Sequence, residues 1–422
     1  METYTADFFD LNENGAGITR IDGMVVFVQG VLPGERAKIA ITERRKNYAL
    51  GECLSVVMES PHRIAPRGPD EAACGGCSLG WVDFEEENRI KANTVRSALR
   101  RAGLGDTPVE ETVFAGDRCG YRNKMTVHFD PESGVFGYCR QETNEVLPFR
   151  GCALCPPLFS DIVGFLNTSP GLVKPLLPEE LAIRSSSDGV TVSLRAQRRD
   201  EDAVHRIRSS LTDRFPPVKQ ILVNTPDRRE TAELPDRVAG LEMRYSSEAF
   251  RQVNTAAFER LLALVREAAE QTSFHTAADL YCGSGVIGLT LAKAYPKAKF
   301  YGIEINPDGV EDAKKNAARN GIGNIRFFCG DAVLFRQRFP LSPDLVTVDP
   351  PRAGLSPSMR RELLALAPKT VIYVSCNPQT LARDLAELVQ KGYAIRRVTP
   401  VNMFPMTKHC ETVAILAQGE KE

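Results

Sequence analysis

The chain has 422 residues, of which 43% are apolar and 25% charged, with a formal net charge of −1. That balance excludes a uniformly basic nucleic-acid coat protein, and the length allows two or three domains with at least one large core. No apolar run is long enough for a membrane-spanning helix and no basic-then-apolar leader opens the chain, so a cytoplasmic protein with no membrane partner is expected, monomeric by default. Eleven cysteines in a reducing compartment argue for metal binding or catalysis before a disulfide framework.

In chain order, residues 1–60 alternate apolar and polar positions in short pieces broken by glycine ("GAGITRID", "GMVVFVQGVLPGERAKIAIT", "NYALGECLSVV"). This spacing predicts a small β-barrel of the OB-like kind. Arg36, Lys38, Arg44, Arg45 and Lys46 form a local basic stretch there that could meet phosphates. Residues 61–240 mix a helix, "FEEENRIKANTVRSALRRAG", with short strands such as "NKMTVHFD" and "GVFGYC", predicting a central α+β domain. A second basic run follows at Arg195, Arg198, Arg199, Arg206 and Arg208. Two close thiol pairs, Cys74 with Cys77 and Cys152 with Cys155, fit a four-thiolate site for zinc or an iron–sulfur cluster; the plainer reading is scattered buried thiols. From 241 to 422, strands and helices alternate, which predicts an α/β, Rossmann-like doubly wound sheet.

The first strand of that last domain runs into Asp279-Leu-Tyr-Cys-Gly283-Ser-Gly285-Val-Ile-Gly288. Glycines here allow a tight turn against a ligand, but nicotinamide, flavin and S-adenosylmethionine sites all use such turns. Glu304 at the end of the second strand suits the hydroxyls of an adenosine ribose, and Asp331 after the third lies beside the expected adenine pocket. With Asp279 four residues before Gly283, the carboxylates favour S-adenosylmethionine over a dinucleotide, whose pyrophosphate they would repel.

The fourth strand ends in Asp349-Pro-Pro-Arg352, and the fifth in "YVSCNP", which delivers Cys376. Carbon 5 of uracil is a poor nucleophile. If a thiolate adds to carbon 6, carbon 5 becomes an enolate carbon able to take a methyl group, after which a base removes its proton and the thiol leaves. Glu411 in "KHCETVAIL" is the candidate base, with His409 and Cys410 as alternatives.

These segments, "FRQVN" (250–254), "DLYCGSG" (279–285), "DPPRAGL" (349–355), "YVSCNPQTLARDL" (373–385) and "HCETVAIL" (409–416), together resemble the RNA uracil-5-methyltransferases. "LPGERAKIAI" followed by "SPHRIAP" resembles the TRAM domain of its ribosomal RNA members. The resemblance implies Cys376 as nucleophile and Glu411 as base. It assigns Gln252, Tyr281, Gly283, Gly285, Glu304 and Asp349 to the donor and base pocket, with Asp331 near the adenine. It implies S-adenosylmethionine as cofactor and RNA as partner, with 23S rRNA favoured and tRNA as the alternative. The family often binds a [4Fe–4S] cluster through Cys-x5-Cys-x2-Cys and a later cysteine. Here Cys74, Cys77 and Cys152 match, Cys155 stands close by, and Gly68 occupies the first ligand position. An RNA cytosine-5 methyltransferase would use the same thiol logic but usually carries Pro-Cys in the fourth-strand motif, which Asp349-Pro-Pro-Arg352 lacks. A non-catalytic RNA-binding module with an idle donor site is the remaining rival.

Overall fold

Short alternating strands between glycine turns build the first unit. In the computed structural model, which describes residues 2–12, 14–66, 71–141, 143–247, 249–339 and 341–419, Thr3–Asp7, Asp10–Leu11, Gly17–Ile21, Met24–Val28, Arg36–Arg44 and Tyr48–Met58 join in one six-stranded sheet. Its core is small: Phe8, Val26, Val28, Val31, Ala37, Ile39 and Ala49. Gly17 is required there, because a Cβ would stand 2.5 Å from Val31 Cγ2. Glu35, fully buried, accepts from Arg63 Nε at 2.6 Å, Leu32 N at 2.8 Å and Ser60 N at 3.1 Å. A buried carboxylate needs such partners, and this one fastens "SPHR" to the barrel.

The two basic runs differ from the sequence expectation. Arg36 pairs with Asp7 at 2.7 Å, Arg45 with Glu43 at 2.6 Å, and Arg44 with Glu2. In the second run Arg195 meets Glu179, Arg199 meets Glu201 and Glu230, and Arg208 meets Glu230. Glu2, Asp7, Glu179 and Glu230, contributed from other strands and loops and invisible in a local charge count, join Glu43 and Glu201 in neutralising much of both patches. The pairs Arg36–Asp7, Arg45–Glu43 and Arg195–Glu179 are exposed and therefore weak in water, whereas Arg199–Glu230 is largely buried.

The central sheet has the strand order Val218–Asn224, Gly189–Ala196, Pro178–Ser186, Lys124–Asp130, Val135–Cys139, Val146–Pro148. The helices Pro157–Thr168 and Glu201–Arg214 pack on it through Phe159, Ile162, Val204 and Ile207. The helix Phe84–Arg101, which the sequence groups with this domain, packs elsewhere. Asp83 caps it by accepting from Glu86 N at 2.8 Å, and its apolar stripe of Val95, Ala98 and Leu99 is buried with Leu381, Leu385 and Val398 of the last domain.

The last domain is a seven-stranded sheet, numbered here β1 (Thr276–Leu280), β2 (Lys299–Glu304), β3 (Ile325–Cys329), β4 (Leu345–Val348), β5 (Thr370–Ser375), β6 (Tyr393–Val401) and β7 (Glu411–Gln418). Its order is β3-β2-β1-β4-β5-β7-β6. The pairings among β1 to β5 are parallel, and β7 is antiparallel to both neighbours. β4 and β5 are buried at every position, as strands covered on both faces must be. The chain winds outward in opposite senses from β1 and β4, which places a ligand crevice beyond their carboxyl ends. Among the described residues, no helix is long and apolar enough to cross a membrane.

Candidate active site

At the end of β1 the backbone turns sharply. Tyr281, Gly283 and Gly285 have φ of +63°, +53° and +86°, a region open to glycine and costly for tyrosine. Two buried contacts hold the turn. Asp279 accepts from Gly288 N at 2.8 Å and from Thr347 Oγ1 at 2.6 Å; burial pushes its carboxyl up to about 6. Asp279 is thus spent beneath the turn, pinning the helix Val286–Ala294 to the sheet, rather than facing a ligand. Glu304 accepts from Gly283 N at 3.0 Å and Asn306 N at 2.8 Å, which leaves lone pairs for two hydroxyls.

A cavity of about 800 Å³ runs from this turn to the ends of β4, β5 and β7. Its walls include Gln252, Tyr281, Gly283, Glu304, Asp349, Cys376 and Glu411, seven of the sequence-predicted residues. Gly285 stands behind them as the cap of the helix, where a Cβ would come within 2.8 Å of Phe327. Asp331 lines an adjoining cavity of about 500 Å³, which shares Tyr281, Glu304, Ile305 and Pro351 with the first. The two compartments fit a nucleoside lying over Glu304, with its base towards Asp331 and its remaining end towards Asp349.

Strand ends bring the two candidate reacting groups to one cavity. The β5–β7 ladder ends at the Ser375–Thr412 pair; Cys376 follows Ser375, Glu411 precedes Thr412, and both line the cavity. Burial and the neighbouring Glu411 push the Cys376 thiol up to about 11. Burial and Asp349 push Glu411 up to about 8, and burial with Asp279 raises Asp349 to about 7. Arg352 opposes the shift at both Cys376 and Glu411. It also donates to His409 Nδ1 at 2.8 Å, and burial together with this guanidinium lowers His409 to about 4.

Of the alternative bases, His409 faces the cavity, whereas Cys410 is buried with its Sγ 3.1 Å from its neighbour's carbonyl and does not line it. Phe250, 79% exposed on the rim, and Arg251 were not singled out from sequence. Arg251 reaches Asp236 at 3.2 Å and the Ser185 carbonyl of the central sheet. No spacing rule finds such a bridge, since its partners are far apart in the chain.

The residues fit S-adenosylmethionine. A Cβ on Gly283 would meet nothing within 4 Å, so space for a ligand lies before the turn. Glu304 and Asp349 line the same cavity, and the arginines there are engaged by protein partners, Arg251 with Asp236 and Arg352 with His409. A sulfonium suits that charge arrangement; a pyrophosphate does not.

The expected four-thiolate site is not gathered. Among the described residues, no group of three or more His, Cys, Asp and Glu side chains is arranged to hold a metal ion. Cys77 and Cys152 share an apolar cluster with Leu154 and Met406, while Cys152 and Cys155 hydrogen-bond each other, which makes Cys152 the more acidic. Cys155 also turns towards the Lys124 carbonyl, and Cys74 ends the short helix Glu71–Cys74. Gly68 lies outside the described residues. These thiols do not fit an iron–sulfur cluster.

A crevice at the switch point of a doubly wound sheet, carboxylate-lined at its glycine turn, defines an S-adenosylmethionine-dependent methyltransferase. The family described as tRNA (uracil-5-)-methyltransferase matches residues 217–419, and the TRAM domain matches residues 1–54. The chain belongs to the RNA uracil-5-methyltransferases, enzymes that methylate carbon 5 of uracil with S-adenosylmethionine. It is 31% identical to an RNA methyltransferase of Oceanobacillus iheyensis over 98% of this chain and 96% of that one. It is 32% identical to one of Gloeobacter violaceus over 99% and 97%. In fold it is similar to the tRNA (uracil-54, C5)-methyltransferase of Pyrococcus abyssi, solved with S-adenosyl-L-homocysteine: TM-score 0.72, 21% identity, covering 98% of this chain and all of that one.

Proposed function

We propose that the enzyme methylates carbon 5 of a looped-out uridine in RNA through a transient bond from Cys376 to carbon 6. The observation that carries this reading is that Cys376 and Glu411 line one cavity with Glu304 and Asp349. S-adenosylmethionine supplies an electrophilic methyl group. Cys376 Sγ adds to carbon 6, and the ring's electrons move towards carbon 5 and the carbonyl oxygen. After methylation, Glu411 removes the carbon 5 proton, the carbon–sulfur bond breaks, and the thiolate leaves. Arg352 stabilises negative charge as the sulfur and then the ring acquire it.

The uridine must leave its stack to reach the cavity, which costs a few kcal/mol and least in loops. The barrel supports an RNA substrate with 23S rRNA as first choice. The fold shared along the whole chain with a tRNA enzyme supports tRNA as the second. Labelled methyl transfer to RNA from a strain lacking the gene, separated into ribosomal and transfer fractions and digested to nucleosides, tests both. 5-Methyluridine in rRNA is expected; label in 5-methylcytidine, or none at all, would defeat the proposal.

A further inference from the structure

The turn between β6 and β7, residues 402–410, leads directly into Glu411, whose ladder partner is Val401. This turn is gripped from the helix Phe84–Arg101, far away in sequence. Glu87, fully buried, accepts through Oε1 from Asn402 Nδ2 at 2.9 Å, Met406 N at 2.9 Å and Lys91 Nζ at 3.0 Å. Its Oε2 meets Arg118 at 3.0 Å. Lys91, 1% exposed, donates to Asn402 Oδ1 at 2.5 Å and the Phe404 carbonyl at 2.9 Å. Met406 adopts φ +66°, and Leu79 N donates to its carbonyl at 2.9 Å. A non-glycine residue stays in that region only when its surroundings impose it. Here both backbone groups of Met406 are engaged from outside the turn.

Burying a carboxylate, an ammonium and a guanidinium together is costly, and apolar side chains could fill the same space. What charges add is directional hold on one turn: the two sides of the Asn402 amide are read separately, the oxygen by Lys91 and the nitrogen by Glu87. We propose that Glu87 and Lys91 are positioning residues for the reaction, fixing the 402–410 turn so that Glu411 faces the carbon it deprotonates. This rests on the base role given to Glu411 above.

The test uses the full-length protein with unfractionated RNA from a strain lacking the gene. Glu87→Gln and Lys91→Met are compared with wild type for S-adenosylhomocysteine binding by calorimetry, methyl turnover, and covalent protein–RNA complex on denaturing gels. The double variant, which leaves less unbalanced charge, serves if a single one does not fold. Loss of aim slows elimination more than addition. The expected result is unchanged donor affinity, turnover lower by about tenfold or more, and accumulation of the covalent complex as in Glu411→Gln. Wild-type turnover in the variants would overturn the inference. Parallel loss of donor binding, complex and turnover would reduce the network to a fold-stabilising role and overturn it equally. Absence of any covalent complex with Glu411→Gln would sink the thiol-addition reading itself, and this inference with it.

Discussion

Arg352 donates from its guanidinium to Nδ1 of His409 across 2.8 Å. An arginine can only donate, so this imidazole is neutral with its proton on Nε2, in keeping with the lowering of His409 to about 4. His409 is therefore a fixed donor at working pH, and Arg352 is the cation that acts on both Cys376 and Glu411. Arg352→Ala should raise both groups further and lower turnover by about 10²-fold or more, with the loss smaller at high pH. A pH-independent deficit in kcat would remove Arg352 from the ionisation of the pair.

Cys376→Ala should abolish methyl incorporation, by about 10³-fold or more, while calorimetric binding of S-adenosylhomocysteine stays near wild type. The same variant should form no adduct with RNA containing 5-fluorouridine, whose fluorine blocks the final elimination. Residual turnover with normal donor binding would mean the thiol is not the nucleophile.

The raised carboxyls of Asp349 and Glu411 carry a stability cost with a defined sign. Both titrate near pH ~4 in an unfolded chain and at about 7 and about 8 when folded. A raised folded value favours the native state below the unfolded value, and that contribution is lost as pH rises through the folded one. Wild type should therefore lose melting temperature between pH 5 and 9 faster than Glu411→Gln, with a gap of about 1–3 °C at the alkaline end. Parallel melting curves across that range would contradict the burial of an ionising Glu411.

The rise in activity with pH follows from the same groups. With Cys376 near 11 and Glu411 near 8, kcat/KM should climb from pH 6 to at least pH 8 instead of levelling below 7. A plateau over that interval, with RNA binding held saturable, would refute it.

Gly285→Ala should weaken donor binding by about tenfold or more, because φ +86° disfavours a side chain and the new Cβ meets Phe327 at 2.8 Å. Phe327→Leu in the same chain restores space but not the backbone angle, so it should recover stability more than affinity. Full recovery of affinity would assign the defect to crowding alone.

Much of the candidate site is readable in the sequence because its residues sit at strand ends, where continuous apolar runs and glycine turns locate them. Cys376 follows the apolar run of β5 directly, and Glu411 opens β7, so the motifs themselves placed both in one crevice. Spacing cannot distinguish a carboxylate that lines a turn from one pinned under it, as Asp279 is by Thr347 and Gly288. The helix Phe84–Arg101 falls within the central segment by position yet packs on the last domain, for a related reason. Amphipathic period shows that a stripe is buried, not which sheet buries it. The arginine runs looked more basic than they are, since Asp7, Glu2 and Glu230 join them only on folding. The cysteine pairs have plausible spacing, but coordination needs sulfur atoms converging on one point, which depends on how two separate segments fold.

The 402–410 turn also touches the barrel and the cysteine segment: Lys408 donates to Asn14 Oδ1 at 2.9 Å through Nζ and to Ser78 Oγ at 2.9 Å through its backbone. The catalytic half is consequently not a detachable module. Shortening the protein from its amino terminus to study substrate recruitment alone would loosen the wall behind Glu411, the proposed base, and a chimaera joining this carboxyl half to a foreign barrel would lose the same buttress.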